Sequence, residues 1–180
     1  IAEIKERHNL FRGVNVETST VRKYETNYAA QILGRTGIIY AEEWEKYQEK
    51  GYSMNDIVGK SGIERSMEEH LRGKSGSRLI DTDITGDNVV LTLDIELQKV
   101  AEESLARVLY NIETARGGAA VLMTVDTGEV LAAANYPTYS QMTFNQDAKL
   151  IQDNPLEPTR NRAFQMAYPP GSAFKPLIAV

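Results

Sequence analysis

Two prolines, one glycine and the spacing of a serine from a lysine restrict residues 168–176 more tightly than any other stretch of this chain. The run is Tyr168-Pro169-Pro170-Gly171-Ser172-Ala173-Phe174-Lys175-Pro176. Pro169 and Pro170 lock φ and disfavour helix in the residues before them. Gly171 permits a sharp turn, and Pro176 is tolerated in a first helical turn, where its missing N–H costs little. A helix is therefore expected to open at Ser172. Positions i and i+3 share a helix face, which brings the Lys175 amine towards the Ser172 hydroxyl. A serine hydroxyl is a weak nucleophile until a neighbouring base takes its proton. A lysine amine serves as that base when neutral, a state favoured by burial, nearby positive potential and the field at a helix start. Ser172 is the candidate nucleophile and Lys175 the candidate general base.

Composition narrows the remaining choices. The 180 residues suffice for one or two domains, and 42% apolar with 25% charged residues is ordinary for a globular protein. The net charge of −5, with no basic stripe, argues against a nucleic-acid partner. Cysteine is absent, which excludes disulfides, thiolate catalysis and cysteine-based zinc sites. No apolar run approaches the ~20 residues that span a bilayer. The first residue is Ile1, so a leader or anchor is expected ahead of it.

Two regions follow along the chain, residues 1–87 and 88–180. In the first, Val14, Val16, Thr18 and Thr20 alternate like a half-exposed strand. A short helix is expected over 28–33, closed by Gly34, and a longer one over 42–50, stopped by Gly51. Trp44 and Tyr47 lie on one face of the latter and read as core. A helical segment is expected over 65–72, a strand over 77–85, and a turn at Gly86-Asp87-Asn88. In the second region, 89–93 is β-rich and Asp94 is a good N-cap. Leu97, Val100, Ala101, Leu105, Val108 and Leu109 recur at helical spacing. Residues 119–125 read as a buried strand, Asp126-Thr127-Gly128 as a hairpin turn and 129–135 as the return strand. Residues 138–158 read as a polar loop, and 161–167 as a short helical turn.

Other chemistry-bearing residues have plainer accounts. His8 and His70 stand singly in polar surroundings and read as surface. Gly59-Lys60-Ser61 and Gly73-Lys74-Ser75 lack the leading glycine of a phosphate loop, so turn chemistry explains them better. Asp81, Asp83 and Asp87 lack the closing glutamate of a calcium loop. The charges over 42–49 read as a solvated helix face.

The order of these segments resembles the class B penicillin-binding proteins, the monofunctional D,D-transpeptidases. Phe11-Arg12-Gly13-Val14-x-Val16 and Arg22-x-Tyr24 are similar to the start of that family's pedestal, or dimerisation, domain. Ala29-Ala30-x-x-Leu33-Gly34-x-x-Gly37, Gly59-Lys60-Ser61-Gly62-Ile63-Glu64 and Leu71-Arg72-Gly73-x-x-Gly76 continue it. Leu91-Thr92-Leu93-Asp94-x-x-Leu97-Gln98 resembles the opening of the transpeptidase domain. Gly117 to Ala134, with Asp126-x-Gly128-Glu129-Val130-Leu131-Ala132, looks like its first strand pair. Asn161-Arg162-Ala163 and the Ser172-x-x-Lys175 run complete the series, which covers nearly the whole chain.

The resemblance implies an α+β chain: an elongated pedestal domain over 1–87, then the N-terminal part of a β-lactamase-like transpeptidase domain over 88–180. It implies that Ser172 attacks a peptidoglycan stem peptide and is acylated by β-lactams. It casts Lys175 as base and the Ser172 backbone N–H as half of an oxyanion hole. No metal or organic cofactor is implied. Implied partners are other cell-wall synthesis or division proteins, and the implied location is the outer face of a bacterial membrane, held by an N-terminal anchor absent from these residues. Thr138 to Asn145 departs from the family's usual Asp-Pro-Asn, which leaves that loop's geometry open. The family's Ser-x-Asn and Lys-Thr/Ser-Gly motifs follow its Ser-x-x-Lys, and they are expected beyond Val180. These 180 residues alone are therefore expected to form no stable β-lactam adduct and to self-associate, exchange strands or order incompletely over 138–160. A scaffold module, or a β-lactam sensor or serine β-lactamase, are the competing readings.

Overall fold

A computed structural model describes residues 22–73 and 86–178. The strands expected around Val14 and over 77–85 lie outside the described residues, as do His8, Asp81 and Asp83. The described chain mixes short helices with two antiparallel strand pairs.

The first described helix, α1 (Ala30–Leu33), starts after Ala29, which adopts a left-handed conformation at φ 59°. It ends at Gly34, whose φ of 79° and N–H bond to the Ala30 carbonyl close the turn as the glycine position predicts. Strand β1 (Thr36–Ile38) pairs antiparallel with β2 (Ile57–Gly59), Gly37 facing Val58. Between them the helix expected over 42–50 divides into a 3-10 turn (Ala41–Glu43) and α2 (Trp44–Gln48), with Gly51 beyond at φ 76°. Tyr47 is buried with Ile39, Tyr52 and Val58, and Trp44 packs against them. The Tyr47 and Tyr52 rings meet edge to face at 5.0 Å, a favoured aromatic geometry. The segment expected over 65–72 forms α3 (Gly62–Ser66) and α4 (Glu68–Leu71), broken at Met67.

Residues 86–88 form no turn. Asp87 instead donates its N–H to the His70 carbonyl at 2.7 Å, which holds it against α4. The β-rich run over 89–93 is not a strand either. It touches the sheet by single bonds, Thr92 Oγ1 to the Val130 carbonyl and Asp94 N–H to the Leu131 carbonyl.

Helix α5 (Ile95–Tyr110) opens on Asp94, whose carboxylate accepts the N–H groups of Glu96 and Leu97 at 2.9 and 3.0 Å. Its buried face differs from the apolar stripe of the sequence. Gln98 and Glu102 are the buried residues, while Leu97, Val100 and Val108 are exposed. The inward face lies over the alanines of β4 (Val130–Tyr136), where Ala132, Ala133 and Ala134 are fully buried and leave room for a close helix. Gln98 uses that closeness. Its Oε1 accepts the Ala133 N–H at 2.7 Å and its Nε2 donates to the Ala133 carbonyl at 3.2 Å. A hydrogen-bonded amide is thus buried where the spacing predicts a hydrocarbon.

Strand β3 (Gly118–Met123) pairs antiparallel with β4 around a turn in which Gly128 takes φ 72°, as expected for the hairpin. β3 is not buried as expected: Val121, Leu122 and Met123 are exposed, because β4 is its one strand partner among the described residues. The polar loop expected over 138–158 contains a helix, α6 (Phe144–Gln152). Phe144, Ala148 and Ile151 fall at i, i+4 and i+7 and pack with Tyr139 against Ala30. Asn161 caps α7 (Arg162–Gln165) by accepting the Phe164 N–H at 3.2 Å.

α1 is the shared element of both regions. Ala29 and Ile32 are buried against Ala133 of β4, with Ile63, Leu93 and Ala163 around them. Gly62 makes this packing possible, since a Cβ there would strike the Ile32 carbonyl and Gly34.

Candidate active site

Ser172 lies in a 3-10 turn (Gly171–Phe174) that passes into α8 (Lys175–Ile178). The expected helix is therefore tighter at its start than an α-helix. The Lys175 N–H donates to the Ser172 carbonyl, the i to i+3 bond of a 3-10 turn. Positions i and i+3 eclipse in that geometry, which sets residues 172 and 175 on one side of the turn. Gly171 enters at φ 54°, a conformation costly for other residues, with open space where a Cβ would stand. Conformation rather than crowding selects glycine there. The Ser172 N–H lies in the first turn, where backbone donors lack intrahelical acceptors.

Both side chains are exposed. The burial that would favour a neutral amine at 175 is thus not supplied by the described residues.

The run into Ser172 is anchored behind it. The Arg162 guanidinium is buried and donates to the carbonyl of Glu157 at 3.0 Å and to that of Leu156. The Ala163 N–H donates to Asn135 Oδ1 of β4 at 2.9 Å. α7 thereby stands beside the open edge of β3. A cavity of about 420 Å³ lies between them, lined by Gly117, Ala119, Val121, Arg162, Met166 and Tyr168. Arg162 and Asn135 carry no signal of this role in the sequence apart from Arg162's place in the Asn-Arg-Ala run.

The remaining residues weighed in the sequence have structural settings. His70 is exposed, 3.5 Å from an Asp87 carboxylate oxygen. Lys60, in the glycine-rich section, lies over the Tyr40 ring at 4.0 Å and pairs with Glu43, whose carboxyl that bond holds below the usual range. Among the described residues no three acidic or histidine side chains cluster as a metal site, and no helix is long and apolar enough to cross a membrane.

Comparison with known proteins matches this arrangement. Residues 1–102 match the family model of the penicillin-binding protein dimerisation domain, and residues 118–180 that of the penicillin-binding protein transpeptidase domain. The chain is 32% identical over its whole length to the peptidoglycan D,D-transpeptidase MrdA of Acinetobacter baumannii, spanning 29% of that protein. It is 32% identical over 72% of its length to the peptidoglycan D,D-transpeptidase FtsI of Escherichia coli, spanning 23% of it. Pseudomonas aeruginosa PBP2, solved in complex with WCK 5153, superposes on 88% of the chain and 34% of its own at TM-score 0.73 and 33% identity. PBP2 of Helicobacter pylori, solved with MreC, covers 85% of the chain and 31% of its own at TM-score 0.62 and 29% identity. The chain thus spans under a third of the curated relatives it matches. Dimerisation-domain residues followed by transpeptidase-domain residues, in the family's order and on the family's fold, place this chain in the class B penicillin-binding proteins.

Proposed function

We propose that the full protein is a peptidoglycan D,D-transpeptidase that forms an acyl-enzyme on Ser172. The observation that supports this best is the 3-10 turn that carries Ser172 and Lys175 three residues apart within the matched transpeptidase residues. Lys175, as base, takes the Ser172 proton while the hydroxyl oxygen attacks the carbonyl of the penultimate D-alanine. The C–N bond to the last D-alanine breaks, and that residue leaves with the proton. An amine of a neighbouring stem peptide then attacks the ester, regenerating the serine. The Ser172 N–H supplies one oxyanion donor, a kind of group whose loss costs about 10²–10³-fold in a serine protease. β-Lactams acylate the same oxygen.

In this reading residues 1–87 form the pedestal and 88–180 belong to the catalytic domain. The pedestal docks other wall-synthesis or division proteins, and the open edge of β3 is where copies of the 180-residue chain would associate. The protein works on the outer face of a bacterial membrane, held by an anchor. A fluorescent penicillin tests the chemistry on the full-length protein. Ser172→Ala should abolish labelling, and Lys175→Ala should slow it by about 10²-fold or more, the usual contribution of a positioned base. Unchanged labelling of Ser172→Ala would refute the reading.

A further inference from the structure

We propose that Gln31 of α1 is a positioning residue for acylation of Ser172, a role that rests on the function proposed above. Its side chain is buried and belongs to the N-terminal region, yet its bonds are made to the segments on either side of α6 and to the run into Ser172. Nε2 donates to the Pro158 carbonyl at 2.7 Å and to the Pro137 carbonyl at 3.3 Å. Oε1 accepts the Thr138 hydroxyl at 3.2 Å. The Gln31 backbone carbonyl accepts Asn161 Nδ2 at 3.4 Å. One residue thus holds both ends of the 137–158 excursion and the cap of α7.

The amide has one satisfactory orientation. Turned over, its oxygen would face two carbonyl oxygens, each left without a donor. Its bonded partners are all neutral.

The grip reaches Ser172 through stiff parts. Asn161 caps α7, Asn135 fixes Ala163, and Arg162 ties the Leu156 and Glu157 carbonyls. Glu157 sits at φ 45°, a conformation that surrounding contacts must impose on a non-glycine residue. Beyond α7, Pro169 and Pro170 restrict the approach to Gly171. Release of Pro158 and Asn161 therefore shifts the serine turn instead of dissipating in a loose linker.

The test measures penicillin acylation kinetics on the full-length protein, with the acylation rate separated from noncovalent affinity and thermal melting recorded in parallel. Gln31→Met keeps the volume and removes the bonds. It should slow acylation about tenfold or more with affinity unchanged, since misplacement by about 1 Å can cost 10²-fold. Gln31→Glu restores one donor when protonated, so its rate relative to the unsubstituted protein should rise on acidification, while that of Gln31→Met stays low. A purely structural role would lower melting and leave the rate of folded protein unchanged. An unsubstituted rate in folded Gln31→Met, with Ser172→Ala unlabelled, overturns the role of Gln31 alone. Should Gln31→Met fail to fold, an unsubstituted rate in Gln31→Glu across pH does the same. Retained label in Ser172→Ala overturns the assignment of Ser172, and this role with it.

Discussion

The carboxylate of Glu102 accepts the backbone N–H of Ala29 at 2.7 Å, joining helix α5 to a residue in left-handed conformation 73 positions earlier. Gln98 Nε2 donates to the same oxygen at 2.6 Å, so the carboxylate is bonded by neutral groups. Burial pushes the Glu102 carboxyl above its ordinary range, opposed by these two bonds. An acid with a raised folded pKa is more protonated folded than unfolded, so its contribution to stability falls as pH rises. That loss begins in the ordinary carboxylate range and ends above the raised value. Glu102→Gln removes it. The stability of Glu102→Gln relative to the unsubstituted protein should therefore increase with pH across that window, in paired denaturant titrations. A pH-independent difference would contradict the assignment.

Glu102→Leu tests the same contact by deletion. It leaves the buried Ala29 N–H without an acceptor, a loss of about 1–3 kcal/mol. Urea unfolding should show a lower midpoint, with the larger effect in Leu than in Gln.

Gly34 and Gly62 close α1 on α3. A Cβ at Gly34 would collide with the Ser61 carbonyl, and both residues hold positive φ. Gly34→Ala should destabilise by more than about 3 kcal/mol, since backbone on both sides must move. Gly128→Ala, at φ 72° but in open space, should cost only about 1 kcal/mol. Thermal melts of the two variants measure the difference.

Asp94→Ala removes the acceptor of two N–H groups at the start of α5. The expected cost is about 1 kcal/mol, and Asp94→Asn should restore most of it. Equal stability of the Ala and Asn variants would show that the cap contributes nothing.

Local signals carried well from sequence to structure. Asp94, Gly34 and Gly128 act where their side chains or lack of one predict, because caps and turns depend on a few neighbouring residues. Ser172 and Lys175 likewise fall on one turn, though a 3-10 one. What failed was tertiary. Gln98 and Glu102 are inside because Ala29 and Ala133 offer backbone partners, which no periodicity of α5 can reveal. α6 was hidden because three apolar residues among polar ones form a helix face only once Ala30 and Tyr139 stand against it. The bonds of Gln31 join positions 106 to 130 residues apart, and nothing local marks them.

The central claim is that one hydroxyl, at Ser172, accepts the acyl group. Peptide mapping of the full-length protein after reaction with a penicillin reads this directly. The account predicts a single covalent adduct on the peptide containing Ser172, absent from Ser172→Ala. An adduct on any other residue, or none on the unsubstituted protein, would contradict it.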